Sequence, residues 1–503
     1  MGSRVRPQQR HAVFAIALAA ALAIGDRVAH AQDVPLFTAD FPPEEFAARR
    51  GAIYDAIKKD GVAVVQGAAS PPGYTRFRQS NDFYYLTGIE SPHAYLLLEG
   101  DTRRATLFLP HRNEGRERSE GKLLSAEDAD LVKKLSGIDA VQPIELLLED
   151  LARRGRSGGA RAVYTPFLPA EGSSMSRDLG LREVADLGND PLDGQAPREG
   201  RFVRLLQERF PWLEVKNLTP ALDATRLIKS PREIALIKRA TRLACLALQE
   251  GMRSTTPGLY EHELDGLARF FFYRNGAQGE AYYSLIASGP NAIFPHYNAG
   301  KRRLKDGELL LMDFAPDVGY YMSDITRMWP VNGRFSPWQR ELYGFYLACY
   351  RSILKAIRPG ATPAAIMKGA LGEMDKALAA TRFSKPVYEA GAREFVTRYR
   401  EAADTRPRLG HWVGMATHDV GSDEGPLRPG MVFTIEPALR VPEEQIYIRL
   451  EDLVIVTDSG TDLPSEWLPM DMAAIEKVMA EDGLLQRIPR DAEGATPPGR
   501  TDQ

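Results

Sequence analysis

A chain of 503 residues is too long for a single small module and suggests two to four domains with room for at least one large core. Apolar residues make up 44% and charged residues 26%, near the globular averages, which excludes a chain that is mostly disordered or collagen-like. The 64 Lys and Arg offset 67 Asp and Glu to a net charge of -3, and no basic run or basic-aromatic stripe suits a nucleic-acid backbone.

Residues 1–31 carry Arg4, Arg6 and Arg10, an apolar run from Ala12 to Ile24, and then Ala29-His30-Ala31, the small-x-small form of a signal-peptidase site. This reads as a cleaved secretory signal, cut after Ala31, and so as a secreted or periplasmic protein. The run is shorter than the roughly 20 apolar residues a spanning helix needs, so no stable membrane insertion is expected after the cut. Residues 32–222 alternate short β-rich runs with helical ones, including 61–66, 94–99 and 105–110, which predicts an N-terminal α/β domain. A boundary follows near residues 219–229, because Ser230-Pro231-Arg232-Glu233 supplies a cap, a first-turn proline and a capping-box acid. Ser336-Pro337-Trp338-Gln339 repeats the signal, and each helix runs to a Pro-Gly stop, Pro257-Gly258 or Pro359-Gly360. Residues 223–485 therefore read as two related α+β halves whose sheets form one surface. Cys245 and Cys349 lie in apolar stretches as small hydrophobes, with one disulfide between them left open by the exported compartment. The Pro- and Gly-rich residues 486–503 read as a disordered tail.

Acidic residues supply the chemistry. In the first half, a two-residue turn at Val318-Gly319 would place Asp313 opposite Asp324 across a hairpin. In the second, a turn centred on Glu443-Glu444 would place Glu436 opposite Glu451. Opposed bare carboxylates repel, so each pair calls for a cation. Between the hairpins lie His411 and His418. Four carboxylates and one imidazole form a hard donor set suited to two manganese-like divalent ions about 3.5 to 4 Å apart.

These stretches resemble the pita-bread metallopeptidases, within them the Xaa-Pro aminopeptidase (aminopeptidase P) family. SerGlyProAsnAlaIlePheProHis296 matches its histidine-bearing strand, and Asp313 with Asp324-Ile325-Thr326-Arg327 its paired aspartates. His411TrpValGly with His418AspValGly matches the histidine segment, Glu436-Pro437 and Arg449-Leu450-Glu451 the glutamates, and PheArgGlnSerAsnAsp82PheTyrTyrLeuThrGly88 the N-terminal domain. The resemblance implies a duplicated pita-bread catalytic domain behind an aminopeptidase P-type N-terminal domain. It implies metal ligands Asp313, Asp324, His411, Glu436 and Glu451, with Asp324 and Glu451 as bridges, two Mn2+ ions, and water activated against the carbonyl bonded to a proline nitrogen. Glu436 would also move a proton, His296 and His418 would orient the proline side of the substrate, and Arg449 would hold a liganding carboxylate. Substrates would be peptides with a free N-terminus and proline second. Pro407 stands where the family carries a further histidine. Xaa-Pro dipeptidase activity and a catalytically silent peptide-binding protein are the alternatives, a homo-oligomer is compatible with the sequence, and His262 reads as a surface residue.

Overall fold

A computed structural model describes residues 40–156, 159–172 and 175–488. The expected signal segment and most of the expected tail lie outside the described residues. Among the described residues, no helix is long and apolar enough to cross a membrane.

The N-terminal domain is built on a six-stranded mixed sheet ordered Ala140–Pro143, Ala105–Leu109, Tyr95–Glu99, Gly61–Gln66, Ala162–Thr165 and Glu214–Asn217. The three strands read from sequence fall within a residue of their expected bounds. Their period-2 alternation fills two layers: Val62, Val64, Leu97 and Phe108 pack under Leu151, Phe202 and Leu206, while Ala63, Val65, Leu96 and Leu98 join the main core. The helix Thr219–Leu227 spans the expected boundary and leads into the helix Pro231–Ser254. There Ser230 Oγ accepts from Glu233 N, and Glu233 returns a carboxylate oxygen to Ser230 N.

The second domain repeats a plan of helices followed by strands. Helices Pro231–Ser254 and Glu261–Arg274 precede a sheet of Leu285–Ser288, Leu309–Phe314 and Ile325–Pro330. Helices Pro337–Ala356 and Pro363–Ala380 precede Val432–Ile435, Ala438–Val441, Ile446–Arg449 and Asp452–Val456, with an additional helix, Pro386–Thr405, in the second half. The halves join where Thr326 and Glu451 exchange backbone hydrogen bonds of 3.3 and 3.1 Å. Fully buried Arg327 donates to Asp452 at 2.6 Å across the same seam.

The first hairpin differs from its expected register. Its turn is Gly319-Tyr320, with φ of 58° and 71° and reciprocal hydrogen bonds between Val318 and Tyr321. Moving the turn by one residue shifts the pairing by two, so Asp313 faces Thr326, and Asp324 sits diagonally on the same face. The cause lies in the other domain: the Tyr320 ring stacks on Tyr84 with centroids 3.6 Å apart, and its hydroxyl donates to Glu90 at 2.8 Å. The second hairpin holds the expected register from Val432↔Ile455 to Val441↔Ile446. Gln445 supplies the positive φ that no glycine provides there. Pro437 has no N–H for the ladder, and the Tyr346 hydroxyl fills the break, donating to Pro437 O at 2.6 Å and accepting from Leu450 N at 2.8 Å. Cys245 and Cys349 are both free and buried, so the open disulfide does not form.

Candidate metal centre

Asp313, Asp324, His411, Glu436 and Glu451 all line one cavity of about 370 Å³, with His296, His418 and Arg449 in the same wall. Asp313 is the penultimate residue of its strand, Asp324 precedes the facing strand, and Glu436 and Glu451 occupy the opposed break in the second hairpin. His411 is seated by the neighbouring strand: its N–H donates to Thr434 Oγ1 at 3.1 Å and its carbonyl accepts from Thr434 N at 2.8 Å. Gly410 makes that approach possible, since a Cβ there would lie 2.1 Å from Thr434 O.

His411 Nε2 lies 3.4 Å from Asp324, 3.5 Å from Glu436 and 3.7 Å from Glu451. One donor atom from each of Asp324, His411 and Glu451 lies within 4.8 Å of the other two. Asp324 faces two ways, with Oδ2 toward His411 and Oδ1 accepting from the Tyr282 hydroxyl, which also meets Asp313 Oδ1 at 2.5 Å. Arg449 donates to Asp313 Oδ2 and, at 3.3 Å, to Glu436 Oε2, so it holds two of the expected ligands rather than one.

These side chains by themselves leave the cavity short of positive charge. Burial pushes the Asp313 carboxyl up to about 6 against the pull of Arg449, and burial with the Asp324 and Glu436 charges pushes Glu451 to about 7. Burial would lower His411, yet hydrogen bonding toward Asp324 and Glu451 and the Glu436 charge carry it well above its ordinary value. Buried Glu451 Oε1 has no hydrogen-bond partner. An oxygen-rich donor set with an orphaned carboxylate oxygen fits a divalent cation.

His296 sits not on a strand but in the turn after the short helix Gly289–Ile293, exposed at the cavity rim. The proline at 290 favours that helical turn over an extended continuation. Partial desolvation, then the His418 and Arg449 charges, lower its pKa and favour the neutral imidazole. His418 lies against His411, ring centroids 3.9 Å apart. His262 is exposed, as expected.

Several side chains at the site went unassigned in the sequence. Tyr282 ties the two aspartates, and Thr326 Oγ1 donates to Glu451 Oε2 at 2.7 Å. Strand alternation from Asp324 places Thr326 on the same face, a signal that was present. Ser176, Leu179 and Glu183 reach the cavity from the helix Arg177–Asn189 of the N-terminal domain, which no local pattern announces.

A duplicated α+β domain whose two hairpins converge carboxylates and a histidine on one buried cavity defines a metal-dependent hydrolase. Residues 235–458 match the model of metallopeptidase family M24, and residues 46–164 match that of the aminopeptidase P N-terminal domain. Xaa-Pro aminopeptidase 3 of Mus musculus is 30% identical over 80% of this chain and 76% of its own. The Xaa-Pro aminopeptidase of Escherichia coli (strain K12) is 29% identical over 83% of this chain and 93% of its own. Pseudomonas aeruginosa aminopeptidase PepP superposes with a TM-score of 0.70 at 27% identity, covering 88% of this chain and 99% of that one. The chain belongs to metallopeptidase family M24, carries the aminopeptidase P N-terminal domain, and is a metal-dependent peptidase.

Proposed function

We propose that the protein is a dinuclear, manganese-dependent Xaa-Pro aminopeptidase that acts outside the cytoplasm after its leader is cut at Ala31. The observation that carries this reading is the convergence of five donors on one cavity, with His296 and His418 on its wall. Relatives named Xaa-Pro aminopeptidase along most of the chain support the substrate class. The two faces of Asp324, one toward His411 and one toward the Tyr282 hydroxyl that also meets Asp313, support its role as a bridge between two cations.

Asp313, Asp324, His411, Glu436 and Glu451 would hold the cations, which when bound supply Lewis acidity and an activated water. Glu436 is the most solvent-accessible of the four carboxylates, its side chain 27% exposed, and it would serve as the proton carrier toward the leaving proline nitrogen. His296 hydrogen-bonds the scissile carbonyl, and His418 holds the proline side. Arg449 and Tyr282 keep the carboxylates in place. Among the described residues lining the cavity, Arg449 is the one Lys or Arg, and it is committed to Asp313 and Glu436. Glu183 at the wall repels the carboxylate of an Xaa-Pro dipeptide, which supports longer peptides over the dipeptidase alternative.

The test is a peptide panel with Mn2+: Xaa-Pro-Yaa should be cleaved, and Xaa-Pro and Xaa-Ala-Yaa should be poor substrates. Metal analysis should find two Mn per chain, and native protein should begin at Gln32. Turnover of Xaa-Pro alone would select the dipeptidase, and absence of stoichiometric metal after reconstitution would end the dinuclear reading.

A further inference from the structure

The N-terminal domain does more than abut the cavity. At the start of the helix Arg177–Asn189 its backbone pairs with the histidine segment of the catalytic domain: Thr417 N donates to Met175 O at 2.8 Å, and Arg177 N donates to His418 O at 3.0 Å. This bridge brings Asp178 against the His418 ring, where Asp178 Oδ1 accepts from Nδ1 at 2.8 Å. The same oxygen accepts from the Ser176 hydroxyl at 2.5 Å, so the carboxylate is fixed from its own chain side as well. On the opposite side, the next residue, Asp419, is clamped by Arg226 at 2.5 Å and Lys229 at 3.2 Å.

We propose that Asp178 is a positioning residue, supplied by the N-terminal domain, that fixes the ring plane and tautomer of His418 and so presents its Nε2 to the substrate. In the tautomer that donates Nδ1–H to Asp178, Nε2 is left as an acceptor for a substrate N–H, and the ring lines the cavity. The hairpin carboxylates are engaged elsewhere: Glu436 and Glu451 by Arg449, Thr326 and His411, and Asp313 and Asp324 by Tyr282, Arg449 and His411. All five expected metal ligands come from the catalytic domain, but orienting His418 requires a carboxylate from the other domain. Asp178 is largely exposed, so its contribution is to geometry and not to stability.

This inference rests on the aminopeptidase reading, and its test separates the two. With an Xaa-Pro-Yaa peptide and Mn2+, Asp178→Ala should lower kcat about tenfold while KM stays within about twofold and metal content is unchanged. Asp178→Asn, whose amide oxygen still accepts Nδ1–H, should keep kcat within about threefold of wild type. In a His418→Ala background, Asp178→Ala should cost nothing further. Nitrogen NMR of 15N-histidine-labelled full-length protein should show His418 as the Nδ1–H tautomer in the wild type and in Asp178→Asn, and a tautomer mixture in Asp178→Ala. Additive losses in the double variant, equal losses in Asp178→Asn and Asp178→Ala, or a His418 signal indifferent to residue 178 would overturn the proposal. A wild type that leaves Xaa-Pro-Yaa uncut would overturn the aminopeptidase reading instead, and the His418 signal would still decide the contact.

Discussion

Glu451 carries more of the site than any other carboxylate: one oxygen is held by Thr326, and the other faces His411 with no hydrogen bond of its own. Asp324 is likewise shared between His411 and the Tyr282–Asp313 pair. Glu451→Gln or Asp324→Asn should therefore release both cations, whereas His411→Ala should mainly weaken one, a difference that metal analysis reads directly. Pro407 poses a separate residue-scale question. It lies half-buried between the helix Pro386–Thr405 and His411, and the neighbouring Arg408 Nε is spent on Gly410 O at 2.7 Å. General acid-base help is worth roughly a hundredfold or more, so Pro407→His should raise kcat above Pro407→Ala, the control for backbone freedom, at equal metal content. Equal rates in the two variants would show that no imidazole is needed there.

At the scale of strands and turns, the Tyr346 hydroxyl inserted between Pro437 and Leu450 keeps the two edges of the second hairpin in step around Glu436 and Glu451. Tyr346→Phe leaves the buried Leu450 N–H and the part-buried Pro437 carbonyl short of a partner, which should lower stability by about 1–3 kcal/mol in urea unfolding and weaken Mn2+ binding in titration. The second hairpin was legible in the sequence because alternation and loop length set its pairing within one stretch of chain. The first was misplaced by two because its turn takes Tyr320 into positive φ for a contact with Tyr84, a residue more than two hundred positions away. The same reason hides Asp178 and Tyr346: their roles come from where another element docks, and no local period encodes that. Glu436 and Glu451 were readable because like charges at matched hairpin positions are costly without a cation, whereas Asp313 and Asp324 share a face without opposing each other, and His411 was assigned through the family resemblance.

Between the domains, fully buried Arg226 meets Asp82 at 2.8 Å, Glu171 at 3.0 Å and Asp419 at 2.5 Å. Removing its charge takes the ion pair from Asp82 and leaves Glu171 to Arg177 and Asp419 to Lys229, so Arg226→Met should cost about 3–5 kcal/mol in denaturant unfolding. Burial would raise the Asp419 carboxyl, but Arg226 and Lys229 outweigh it and hold it below its ordinary value. A depressed folded pKa adds stability above the unfolded value of about 3.9 and loses it as pH falls through the folded value. The urea midpoint should thus fall as pH drops below about 4, and Asp419→Asn should be less stable at pH 7 but flatter across that acid range. A wild-type midpoint with no such dependence would show that the network does not couple the domains.

Tyr320 joins two tasks that evolution would otherwise adjust separately. Its left-handed backbone, costing on the order of 1–3 kcal/mol, sets the hairpin that spaces Asp313 from Asp324, and its ring and hydroxyl are plugged into Tyr84 and Glu90. Drift at the domain seam is therefore felt as drift in ligand spacing. A lineage that trimmed or swapped the N-terminal domain would inherit a turn whose strain had lost its offset, and would have to settle a new residue at 320 before it recovered the metal centre.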